Sequence, residues 1–75
     1  MNNKRREKIR NAIVHVEKAN EIIEDVYSEN EESRDNLPDN LYGSSLYERL
    51  DEECDEMNEI MDDIGDVVGR LEGLL

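Results

Sequence analysis

Apolar residues recur at an unbroken 3-4 spacing through the second half of the chain: Tyr47, Leu50, Cys54, Met57, Met61, Ile64, Val68, Leu71 and Leu75. A half-buried strand alternates every second position, whereas a 3-4 spacing keeps one helix face apolar. The pattern therefore predicts a helix over 45–75. Leu46, Ile60, Val67 and Leu74 lie beside this seam and widen the face beyond what one partner helix covers. Ser45 followed by Glu48 has the spacing of a capping box. Glu48, Asp51, Glu52 and Glu53 crowd the first turns, where the helix dipole favours negative charge.

The first half carries a similar row in Ile9, Ala12, Val16, Ala19, Ile23 and Val26, widened by Ile13, Ile22 and Tyr27. It predicts a helix over 3–35, with Asn2 or Asn3 as N-cap. Beyond Val26 the same row continues through Asn30 and Ser33. Either this last stretch frays, or those side chains hydrogen-bond across the interface and fix its register. Residues 36–44 read as a connection. Pro38 disfavours helix at Leu37 before it, and Gly43 tolerates a positive φ. Leu37 and Leu41 are placed to fold back over the end of the bundle. So short a link makes the helices antiparallel neighbours. The expected fold is all-α, a single-domain, coiled-coil-like antiparallel helical hairpin.

A hairpin alone would leave Ile13, Ile22, Ile60, Val67 and Leu74 in water. Pairing two hairpins into a four-helix bundle removes that patch, so a homodimer is expected. Its core would draw Ile9, Ile13, Val16, Ile23 and Val26 from the first helix. The second helix would contribute Leu50, Met57, Met61, Ile64, Val68 and Leu71.

Composition qualifies this picture. Apolar residues make up 36% and charged residues 40% of the chain, with no Phe or Trp, which approaches a disordered composition. The ordered apolar rows argue for folding instead. The net charge of −12 repels nucleic acid and anionic membranes, and suits a basic protein partner or a site that normally holds nucleic acid. Charge is also uneven: Lys4, Arg5, Arg6, Lys8 and Arg10 against Glu7 make the first ten residues net positive. Positive charge at the start of a helix opposes its dipole. Cys54 is the only cysteine, so no intrachain disulfide can form; on the seam it reads as a small buried apolar residue. No segment has the form of a signal peptide or of a membrane span, so a soluble cytoplasmic protein is expected.

Ten carboxylates fall between Glu48 and Asp66, opposed only by Arg49. Carboxylates on a rigid helix can imitate the phosphates of a nucleic-acid strand and steer the rod toward a basic groove. Glu52, Asp55, Glu56, Glu59, Asp62, Asp63 and Asp66 are the candidate partner contacts. The plain alternative is that they keep a small bundle soluble. Some spacings in this run match magnesium-binding sets of nucleotide pyrophosphatases and prenyl-transfer enzymes. Both need a second carboxylate cluster on a facing helix and a lined pocket, whereas these sets all sit on one helix, mostly on its wet face. The only histidine, His15, follows Ala12 rather than a glutamate at the three-residue spacing of di-iron bundles. No Ser-His-Asp set or glycine-rich phosphate loop is present. No catalytic residue, metal or cofactor is therefore expected. Gly65, Gly69 and Gly73 recur every fourth residue, each costing about 1 kcal/mol against alanine. They imply either a close backbone approach or a weakened helix end, with Gly73 as a cap.

The stretch Asp35-Asn36-Leu37-Pro38-Asp39-Asn40-Leu41, followed by Ser45 and an acidic helix, resembles small acidic helical-hairpin proteins of Firmicutes phages and prophages. These share a basic start and a DNLPxxL loop between acidic helices. The resemblance implies no activity and no catalytic residue. It implies a phage setting, in which small acidic proteins block host enzymes that handle nucleic acid. Two functions are expected from these readings. One is a binding module, an inhibitor acting through the acidic face. The other is an assembly or oligomerisation element with apolar, salt-insensitive contacts.

Overall fold

The computed structural model describes residues 1–75 as two helices, α1 (Asn3–Asp35) and α2 (Ser45–Glu72), joined by a link holding one 3-10 turn at Asp39–Leu41. The helices pack along their length as an antiparallel hairpin. The Cα envelope measures 60 × 15 × 11 Å. The radius of gyration is 17.3 Å, against about 11 Å for a compact chain of this length, so the molecule is a rod.

Local chemistry sets each end. Asn2 caps α1, its side chain accepting from the Arg5 amide at 2.8 Å. Ser44, not Ser45, caps α2, accepting from the Tyr47 amide at 3.2 Å. Ser44 has the extended backbone a cap needs (ψ 166), so Ser45 is already helical and the expected Ser45–Glu48 box does not form. The 45–75 prediction also overran. α2 stops at Glu72, and the Gly73, Leu74 and Leu75 amides bond back to Gly69, Leu71 and Glu72. These tightened bonds close a helix end without a left-handed residue, and Gly73 accordingly keeps φ at −62. In the link, Gly43 has φ +80, where a side chain would strain the backbone. Tyr42 packs edge-on against Tyr47 with ring centres 5.2 Å apart. Its hydroxyl donates to the Asp35 carbonyl, and Leu37 and Leu41 are half-buried beside it.

The α2 seam is the one its sequence predicts, from Tyr47 to Leu71, with Cys54 buried at its centre; Leu75 lies beyond the helix and is exposed. The α1 seam differs. Its less exposed positions are Arg6, Ile9, Ile13, Val16, Asn20, Ile23, Tyr27, Asn30, Glu31 and Arg34, and Leu37 in the link continues the row. Ile13 is thus an inner core residue rather than a flank. Val26, expected in the core, is 46% exposed, and Ala12, Ala19 and Ser33 lie outside with it. Two rows were available, sharing Ile9, Val16, Ile23 and Asn30. The chain buries the one whose other members are larger, because Ile13 and Tyr27 remove more surface from water than Ala12 and Ala19. Polar Asn20 and Arg34 in that row disguise it in the sequence.

Candidate functional site

Three cross-helix hydrogen bonds fix the register. Arg34 Nη1 donates to Asp51 Oδ1 at 2.8 Å, and Asn30 Nδ2 donates to Glu53 Oε2 at 3.0 Å. Asn58 Nδ2 donates to the Tyr27 hydroxyl at 3.4 Å. Asn30 therefore does hydrogen-bond across the interface, and α1 stays helical through that turn. The Arg34 side chain is only 19% exposed, and its hydrogen bond to Asp35 is the main cause holding its pKa above the ordinary value. It also suits the C-terminal end of α1. Sequence reasoning missed this polar lock. Its signal was a basic seam residue near the link with Asp51 beside the facing seam.

These bonds also tell the two long sides of the hairpin apart. Arg34–Asp51 and Tyr27–Asn58 line one side, and Asn30–Glu53 marks the other. Stepping by seven from Glu53 along α2 gives Leu46, Ile60, Val67 and Leu74. On α1 the corresponding row is Val26, Ala19 and Ala12, with Ile22 next to it. Val26 and Glu53 indeed border one shallow depression between the helices. The result is an apolar stripe along one side. Ile22, Val26, Leu46, Val67 and Leu74 on it are all exposed. Its depressions are shallow, the one near the open end being lined by Val67, Arg70, Leu71 and Leu74.

A third surface lies on the outer face of α2 and meets the apolar stripe at Glu56, which also borders the depression beside Val26. Glu52, Asp55, Glu56, Glu59, Asp62, Asp63 and Asp66 are all exposed there. None takes part in an ion pair: the protein's own pairs are Arg10–Glu7, Lys18–Glu21, Arg34–Asp35 and Arg34–Asp51. The α2 register brings all seven into one acidic ridge, while the basic start stays at the open end. No ion pair joins that basic start to α2.

The remaining chemistry is local. His15 Nδ1 donates to the Asn11 carbonyl of its own helix at 2.8 Å, which fixes its tautomer on an exposed surface. Cys54 is 2% exposed, and burial pushes its thiol above the ordinary value, away from the reactive thiolate. No three His, Cys, Asp or Glu side chains converge in a way that would hold a metal ion. No helix is long and apolar enough to cross a membrane. A Cβ built on Gly65 or Gly69 meets nothing within 4 Å, so neither glycine marks a close approach within the hairpin. Compared with protein-family models, curated proteins and solved structures, the chain matches none.

Proposed function

We propose that this protein is a non-enzymatic protein-binding module whose acidic ridge occupies a surface that otherwise holds nucleic acid. The observation that carries the reading is the ridge's linear charge density. Glu52 to Asp66 spans fourteen helical steps, about 21 Å at 1.5 Å per residue. Seven free carboxylates over that length give one negative charge per about 3.5 Å, against roughly 3.4 Å per phosphate along one DNA strand. The helix holds these charges rigid before binding, so little ordering is lost on contact. A basic groove would attract the rod at long range and speed its approach. The resemblance of the DNLPxxL loop to phage proteins supports a phage-encoded inhibitor of a host nucleic-acid-handling or defence protein. It would act in the cytoplasm of the bacterial host.

The test is capture of partners from a Firmicutes lysate, eluted by rising salt and separately by excess DNA. A nucleic-acid-binding protein released by both is the expected result. The variant Glu52→Gln, Asp55→Asn, Glu56→Gln, Glu59→Gln should lose it. A partner that resists salt, or that the neutralised variant retains, refutes the ridge as the contact. The exposed apolar stripe favours a second reading, an assembly element whose contacts are insensitive to salt.

A further inference from the structure

We infer that the apolar side of the hairpin is the seat of a second copy of this chain, packed face to face as a four-helix bundle. The stripe adjoins the acidic ridge at Glu56 but is centred on other residues, and the inference holds whether or not the ridge binds nucleic-acid-handling proteins.

Area is the first argument. Only Ile13 and Cys54 are buried in the single hairpin. The hairpin exposes 5659 Å², where a compact monomer of 8.8 kDa exposes about 4,800 Å². The excess is roughly 900 Å², close to the roughly 800 Å² that each partner buries in a stable complex. The flat face of the rod, 60 × 15 Å, offers about the same area.

Charge selects the occupant. A chain of net charge −12 can approach its own copy only where carboxylates are sparse. On the two rows of the stripe the only carboxylate is Glu53, joined by Glu56 at the depression beside Val26; both lie toward the link, and the half toward the open end has none on either row. A basic partner, by contrast, would be drawn to the outer face of α2.

Shape agrees. The register of the cross-helix bonds sets Ala12 level with Leu74 and Ala19 level with Val67. Toward the open end small residues thus line the α1 row and bulky ones the α2 row, while nearer the link Val26 and Ile60 are both bulky. A copy turned over about the long axis lays its bulky row on the other's alanines, and the reverse. Each chain supplies both projection and recess, as a twofold interface requires.

Sedimentation equilibrium at physiological salt tests this. The expected mass is twice 8.8 kDa. Val67→Glu or Ala19→Glu places an unpaired charge in the contact and should weaken association by roughly a hundredfold or more. Val14→Glu is the control, because Val14 is 64% exposed but lies off the stripe; it should leave the mass unchanged. Should the stripe variants unfold, Val67→Cys supplies a milder probe. Its thiol should be protected from labelling at high protein concentration and become reactive on dilution, while Val14→Cys labels equally at both. Added salt should tighten the dimer by screening like charge, the opposite of its effect on ridge binding. A helical monomer at concentrations on the order of 100 µM, or a dimer indifferent to Val67→Glu, overturns the inference.

Discussion

Replacing Gly65 should stabilise the protein, and the choice of replacement tests a specific reading of the seam. Arg34 reaches Asp51, and Tyr27, seven residues earlier, bonds Asn58, seven residues later. The next step along the same side pairs Asn20 with Gly65. Asn20 Oδ1 is buried and has no hydrogen-bond partner. The row explains why: its opposite residue has no side chain. A Cβ at Gly65 enters open space, so Gly65→Ala should gain about 1 kcal/mol from helix propensity alone. Gly65→Gln has a slightly poorer propensity but brings an amide donor long enough to reach Asn20, adding about 1 kcal/mol. For a domain of this size each kcal/mol raises Tm by roughly 4–8 °C. Thermal unfolding followed by helical circular dichroism, at one fixed protein concentration, reads both. Gln should melt above Ala, and that advantage should vanish in an Asn20→Leu background. If Gln melts at or below Ala, Asn20 does not face Gly65. If Ala itself lowers Tm, another backbone packs against that glycine.

The same substitution should have the opposite sign at Gly43, whose φ of +80 favours glycine: Gly43→Ala should cost about 1–2 kcal/mol and lower Tm in the same assay. Cys54 makes the fold sensitive to alkali. Its folded thiol titrates above the ordinary value of 9.0, chiefly through burial. Between the unfolded and folded values the unfolded chain has lost a proton that the folded chain keeps, so stability falls as pH rises past about 9. Cys54→Val should flatten that limb in denaturant titrations across pH, and an unchanged slope would place its cause elsewhere.

The hairpin was legible because α2 declares itself: nine apolar residues at an unbroken 3-4 spacing mark the face that meets α1. The link was legible for local reasons, since Pro38 and Gly43 act on their own backbone. The inner face of α1 was not. Its two candidate rows share every second member, and hydrophobicity alone favoured neither, because Ile13 and Tyr27 in one are offset by Asn20 and Arg34. Which row turns inward depends on what faces it, Asp51 and Asn58 on the other helix, and no window along α1 contains that information. The α2 cap failed for a smaller reason. Two adjacent serines offered the same side chain, and only the backbone at Ser44 decided between them. The acidic ridge was readable as a cluster, because a helix places its residues by sequence spacing alone. That its carboxylates have no partners required the structure.

The division of labour around α2 has a thermodynamic consequence. One helix carries the seam, the stripe and the ridge at different angles, and α1 answers the seam with polar residues at half its positions. The hairpin interface is therefore poor in apolar burial, and in the proposed dimer the second copy would supply what it lacks. The proposed dimer would link folding to association, because a partner that binds only the folded hairpin stabilises it by mass action. Tm should then rise with protein concentration in the wild type. In the Val67→Glu variant it should be lower and independent of concentration. A wild-type Tm that stays constant over a hundredfold range of concentration, with full helicity, would show that the two-helix seam suffices alone.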